Sequence, residues 1–163
     1  MSTLAEAAQE FLAQPRIAVV GVSRTKRDAT NLIYCKLREQ GHRVFPVNPS
    51  AQTVEGDRCY PTLAALPEKV DGVVIVTKPQ ITEHVVRECV ELGIPRVWMH
   101  RSMGFMGTSV SEQAVKLCQD NHITVIPGGC PMMFCEPVDT PHKCMRWFLR
   151  VTGGLPRIAP KNS

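Results

Sequence analysis

The sequence predicts one α/β domain, three layers deep, around a mainly parallel sheet of about five strands. Three observations predict it. Strand-like and helix-like segments alternate almost without interruption from Arg16 to Ile126. Each strand segment is apolar throughout rather than at every second position, the pattern of a strand covered on both faces. The chain has 163 residues, 44% of them hydrophobic, enough to bury one sizeable core and too few for two. Residues 1–163 are therefore expected to form a single domain, with 1–15 as a leading helix and 135–163 as a divergent C-terminal segment.

The elements follow in order. Leu4, Ala8, Phe11 and Leu12 recur at helical spacing before Pro15, which predicts a short amphipathic helix. Arg16–Val20 is a continuous apolar run and predicts the first strand. Asn31 to Gln40 predicts a helix, with Leu32, Ile33 and Leu37 on one side and Gly41 as its stop. Arg43–Val47 is the second strand, ended by Asn48-Pro49. Turn residues crowd between Pro49 and Pro61, with a short strand near Arg58–Tyr60, and Leu63–Leu66 gives a helical turn.

Val73–Val76 is the clearest strand of the chain, introduced by Asp71-Gly72. The next helix carries Ile81, Val85, Cys89 and Val90 and closes at Gly93. Arg96–Met99 is another strand. Ser109 and Glu112 then form a capping-box pattern that opens a helix with Val110, Ala114, Leu117 and Cys118 inward. Ile123–Ile126 is the last strand, ended by Pro127-Gly128-Gly129. Single helices between parallel strands demand right-handed crossovers, hence a doubly wound sheet. The tail from Pro156 to Ser163 is expected to be loosely held.

Composition excludes several function classes. A net charge of +4 is mild, and 6% aromatic residues are few for a nucleic-acid surface, so no nucleic-acid partner is expected. No run approaches the ~18 apolar residues of a membrane span. The first residues lack the charged and apolar regions of a secretory signal. Seven cysteines, odd in number and without a framework spacing, suit a reducing compartment, and a cytoplasmic location is expected.

In a doubly wound sheet the ligand lies beyond the carboxyl ends of the strands. Those positions hold Gly21-Val22-Ser23-Arg24, Asn48-Pro49, Thr77-Lys78-Pro79, His100-Arg101-Ser102-Met103-Gly104 and Gly128-Gly129-Cys130-Pro131. The first turn has the context of a phosphate site, a strand running into a helix N-terminus. It lacks G-x-G-x-x-G: Gly21 stands alone, and Arg24, Lys26 and Arg27 crowd where glycines would be. A nicotinamide enzyme would place Asp or Glu after the second strand for the ribose hydroxyls, and here that place holds Asn48. Clustered cations suit a phosphorylated ribose, with Arg binding as a fork and Lys as a point charge. A solvated basic loop and an NADP site both remain open on these residues.

The run "RIAVVGVSRTKRDATNLIYCKLREQGHRVFPVNP", followed by "VEGDRCYPTLAALPEKVDGVVIVTKP", "VWMH" and "IPGGCPMMF", resembles the stand-alone CoA-binding domain proteins. These are relatives of the N-terminal domain of the succinyl-CoA synthetase α-subunit. The likeness covers about Arg16 to Cys130. It implies a Rossmann-like fold and coenzyme A, or an acyl-CoA, as ligand. Carried over, it implies nucleotide phosphates at Gly21, Val22, Ser23 and Arg24, with Lys26 or Arg27 for the 3′-phosphate. It implies Val47, Asn48 and Pro49 beside the adenosine, and Thr77, Lys78 and Pro79 along the middle of the ligand. His100 enters a loop facing the pantetheine, where many relatives have Gln. Gly129-Cys130-Pro131 resembles the Asn-Cys-Pro-Gly turn of the synthetase domain, and beyond Phe134 the likeness lapses. Thr77, with Gln80 three residues on, could also cap the following helix.

Chemistry beyond binding has less support. A synthetase-type ligase needs a phosphorylatable histidine and a nucleotide-grasp partner in further domains. His42 and His122 precede strands and His84 lies on a helix, which leaves His100 and His142 near a crevice. Neither shows a partner in the sequence, so no catalytic residue is assigned. Cys130, Cys135, His142 and Cys144 lack the paired spacing of a zinc site, and no metal is expected. Cys35, Cys89 and Cys118 read as small core residues. Cys130 follows Gly128-Gly129, where backbone N–H groups could favour a thiolate; it, or Cys135, would then approach the CoA thiol and form a mixed disulfide. The expected function is binding of CoA or acyl-CoA, without catalysis of its own. An NADP-dependent oxidoreductase and a regulatory protein with a vestigial pocket are the alternatives. A homo-oligomer or an acyl-CoA enzyme is a possible protein partner, and whether the exposed Trp98 and Trp147 regions mark an oligomer contact stays open on the sequence.

Overall fold

A computed structural model describes residues 3–25, 28–102 and 107–152. The main sheet consists of β1 (Arg16–Val20), β2 (Arg43–Val47), β5 (Gly72–Ile75), β6 (Arg96–Met99) and β7 (Thr124–Pro127). Its order is β2-β1-β5-β6-β7, and every neighbouring pair is parallel. The helices are α1 (Leu4–Leu12), α2 (Ala29–Glu39), α3 (Pro79–Glu91), α4 (Glu112–Asp120) and α5 (Thr140–Val151). A small antiparallel pair, β3 (Thr53–Val54) with β4 (Asp57–Arg58), sits between β2 and β5 in the chain. The expected five-stranded, three-layer sheet is thus the observed one.

Alternation along the buried strands builds two cores. Ile17, Val19, Val74, Trp98 and Ile126 join α1 and α2 on one face. Ala18, Val20, Val73, Ile75, Val97, Met99 and Val125 join α3 and α4 on the other. Successive side chains of a strand point to opposite faces, so a run without polar residues must be covered twice. Cys35, Cys89 and Cys118 are buried, as their helix positions predict.

Boundaries moved where local chemistry decided them. Helix α2 starts at Ala29 because the Asp28 carboxylate accepts from the N–H groups of Thr30 and Asn31. Strand β5 starts at Gly72, since the Phe11 ring lies where a side chain there would stand: a Cβ would come within 2.8 Å of it. Ser109 does not cap α4. Ser111 does, accepting from Ala114 N–H at 3.3 Å, while Ser109 Oγ accepts from Thr77 N–H at 2.9 Å. Thr77 likewise does not cap α3, whose N-cap is Lys78 without a side-chain bond. Pro79 stands at N1 instead, where its missing N–H costs nothing.

Trp98 is the clearest correction: it is fully buried, not exposed. Its ring meets Phe11 edge-on, with centroids 5.5 Å apart, and its Nε1–H donates to the Gly128 carbonyl at 3.0 Å. Trp147 is 66% exposed, on α5. The sequence reading named no helix after Phe134. Asp139 and Pro141 start one there, the Asp139 carboxylate accepting from His142 N–H at 3.0 Å. Among the described residues, no helix is long and apolar enough to cross a membrane.

Candidate functional site

From β1 the chain crosses to β2 on one side, while β5, β6 and β7 extend on the other, so the switch in strand order lies between β1 and β5. A crevice opens at such a switch, beyond the carboxyl ends. Gly21 forms one lip, with φ +104° and its amide bonded to Val47 O at 3.1 Å. A Cβ there would lie 2.2 Å from the Val76 carbonyl oxygen and 3.2 Å from Thr77 Cγ2. The lone glycine of the turn is therefore explained by the close approach of β5's end.

The turn after Gly21 is braced by two asparagines. Asn31, buried in the first turn of α2, accepts from Ser23 N–H at 2.7 Å and donates to the Ser23 carbonyl at 2.9 Å. Its amide also donates to Glu55 Oε1 at 2.9 Å. Asn48 Nδ2 donates to the Val22 carbonyl at 2.6 Å, and Asn48 Oδ1 accepts from Ser50 N–H. Arg24, Pro49 and Lys78 are exposed around this frame, Ser23, Asn48, Thr77 and Pro79 are half-buried, and Val22 and Val47 are buried. Lys26 and Arg27 lie outside the described residues.

The sequence reading missed Asn31 as a site residue. Its signal was available: Asn is a poor residue for a helix unless its amide has other partners. The α2 terminus also departs from a simple anion cradle, since Asp28 already occupies two of its N–H groups.

On the other side of the crevice, Thr77 N–H reaches Ser109, and Ser109 N–H donates to the His100 carbonyl at 2.8 Å. Ser109 thus ties the end of β5 to the end of β6. Arg101 N–H donates to the Gly129 carbonyl at 3.1 Å, which joins the loop after β7 to them. His100 is buried, and burial, aided by nearby His142, pushes its pKa down to about 4.

Cys130 overturns its expectation of a stabilised thiolate. It is 4% exposed, and burial pushes its thiol up to about 12 despite the Met132 N–H directed at the sulfur. Cys135 is pushed up to about 11 for the same reason. Desolvation outweighs a single backbone dipole, so both rest as thiols.

Comparison with known proteins places this geometry in context. Acetate–CoA ligase [ADP-forming] I of Archaeoglobus fulgidus is 27% identical over 155 residues, 92% of this chain and 22% of the ligase. The chain spans 12–22% of the length of the acetate–CoA ligases of Archaeoglobus fulgidus that it matches. A solved structure of a hypothetical protein from Pyrococcus horikoshii OT3 superposes with a TM-score of 0.74 at 27% identity, covering 82% of this chain and 91% of that one. The apo dinucleotide-forming acetyl-coenzyme A synthetase 1 of Ca. Korarchaeum cryptofilum gives a TM-score of 0.59 at 27% identity, covering 69% of this chain and 25% of the synthetase. Residues 15–136, from the last residue before β1 to the residue after Cys135, match the CoA binding domain family, and the chain belongs to that family.

Proposed function

We propose that this chain binds coenzyme A or an acyl-CoA across the carboxyl ends of the sheet. Gly21, Val22, Ser23 and Arg24 receive the phosphates, and Lys26 and Arg27 add charge for the 3′-phosphate. Val47, Asn48 and Pro49 flank the adenosine. Thr77, Lys78 and Pro79 run beside the arm, and His100 and Cys130 face its thiol end.

The observation that carries this reading is the braced turn at the β1–β5 switch. Asn31 and Asn48 hold its backbone, while the Arg24 side chain stands in solvent, ready for a dianion. A guanidinium can grip such a phosphate with two parallel bonds. The sheet's dimensions favour a long ligand. The ends of β1 and β7 are three inter-strand steps apart, about 14 Å, a span suited to a nucleotide with an extended arm.

Titration calorimetry tests it. CoA should bind, and 3′-dephospho-CoA should bind at least about tenfold more weakly, because a phosphate dianion and its cations are lost. Arg24→Ala should shrink that difference. Equal affinity for the two ligands would remove the role given to the cations. Preference for NADP(H) would make the site a reductase's, and silence toward both would leave a regulatory protein.

A further inference from the structure

The divergent C-terminal segment brings three chemically matched side chains together. Cys130 Sγ lies 3.9 Å from His142 Nε2, and His142 Nδ1 lies 2.5 Å from Asp139 Oδ1. We propose that Cys130, His142 and Asp139 form a nucleophile, base and orienting carboxylate that accept an acyl group from an acyl thioester onto Cys130 Sγ. Acyl-CoA as the donor rests on the binding function proposed above.

The parts are fixed in the way such chemistry needs. The Asp139 oxygen that holds the ring also accepts from His142 N–H, so one carboxylate both starts α5 and orients the imidazole. With Nδ1–H donated to Asp139, Nε2 presents its lone pair to the sulfur. The nucleophile is held as firmly. The carbonyls of Gly128 and Gly129 are tied to Trp98 Nε1 and Arg101 N–H, and Cys130 opens a 3-10 turn with Pro131 in its first position. Met132 N–H points at Sγ, where negative charge develops.

Protonation agrees with this assignment. A thiol held near 12 stores no thiolate, so it needs a base at the moment of attack. The Asp139 carboxyl lies below its ordinary range through its bonds to the His142 backbone and ring, so it is ionised. His100 faces the same space and is neutral at pH 7. A sulfur–nitrogen separation of 3.9 Å is long, as is common before substrate is bound. Helix α5, which carries the base, is anchored beside the nucleophile's turn by Arg146, whose guanidinium donates to the Met133 carbonyl at 3.2 Å.

The step balances without a co-reactant. Sγ attacks the thioester carbonyl as its proton passes to Nε2. The tetrahedral adduct then collapses, the bond from carbon to the CoA sulfur breaks, and Nε2–H protonates the departing thiolate. The products are acyl-S-Cys130 and free CoA thiol.

The test uses the whole chain with acetyl-CoA, acid quench, intact-mass measurement and peptide mapping, alongside calorimetry for CoA binding. An acetyl adduct on Cys130 with equimolar CoA release is expected. Cys130→Ala should abolish it, and His142→Gln should slow it by about 10²–10⁴-fold. Asp139→Asn keeps an N-cap acceptor but lets the ring take the other tautomer, and should slow it by at least about tenfold. Acetyl-CoA that binds yet leaves Cys130 unmodified overturns the proposal, as does an adduct whose rate ignores His142. If CoA does not bind, a small N-acetylcysteamine thioester at high concentration replaces it. His142-dependent labelling of Cys130 then supports the three-residue set and refutes only the CoA reading; no labelling overturns the set itself.

Discussion

Asn31 holds Ser23 by both polar groups of its backbone, taking its N–H and feeding its carbonyl from a single side-chain amide. A side-chain amide, with an acceptor oxygen and a donor NH₂ on one rigid plane, can do both at once. Asn31→Ala should destabilise the chain by about 1–3 kcal/mol in urea unfolding, because the half-buried Ser23 backbone and Glu55 lose their bonds to the carboxamide. Asn31→Asp keeps the acceptor, loses the donor, and places a second carboxylate beside Glu55. CoA affinity should fall further in Asn31→Asp than in Asn31→Ala, measured by calorimetry; the reverse order would show that charge in this turn is irrelevant to the ligand.

Gly21→Ala should cost about 2–5 kcal/mol, through a strained backbone and a Cβ driven into the Val76 carbonyl. The neighbour is backbone, so no side-chain rotation relieves it. A melting temperature within a degree or two of the parent protein would contradict the close approach of β1 and β5 ends.

His100 gives a pH dependence with a definite sign. Its folded pKa is about 4 against an ordinary value of 6.5, so between these the unfolded chain binds the extra proton. Stability from burying the neutral ring is fully present above pH 6.5 and falls as pH drops toward 4, by up to about 3 kcal/mol. Asp57, Asp71 and Asp139 have lowered pKa values, so their contributions are lost only at more acid pH, below their ordinary 3.8. Urea midpoints across pH 4–7 should slope in the parent protein and flatten in this window for His100→Gln.

Trp98 and Trp147 should be separable by fluorescence, one buried and one 66% exposed. Trp98→Phe should remove the blue-shifted, iodide-resistant emission and leave a quenchable band from Trp147. It should also destabilise by about 2–3 kcal/mol, since the Gly128 carbonyl loses its donor and the ring its volume. A residual protected band would place Trp147 against another surface.

The sheet was legible because its strands are buried on both faces, and Arg16–Val20 or Val73–Val76 admit no competing period. The caps were less so. Ser109 and Ser111 both precede Glu112 closely, and only the position of Thr77, brought in by the β5 turn, decides which hydroxyl is free to cap. Trp98 was misplaced because exposure of a single aromatic depends on what covers it, here Phe11 from a helix far away in sequence. For Cys130 the nearby amide was anticipated and the burial was not, and desolvation reversed the sign of the shift. His142 lacked a visible partner because Cys130 reaches it only when the chain folds back over α2. There Lys36 bonds the Pro137 carbonyl and Gln40 the Glu136 carbonyl.

The ring of Phe11 over Gly72 has a bearing on where this fold can be divided. The family likeness begins at residue 15, just before β1, yet α1 lies earlier and supplies the aromatic that roofs both Gly72 and Trp98. A chain trimmed to the region of likeness would keep every strand and every proposed ligand contact and still lose its lid over the sheet's middle. Wet indole and an uncovered apolar sheet face would follow, and aggregation with them. The stretch that holds the proposed ligand contacts is thus shorter than the stretch that covers the sheet.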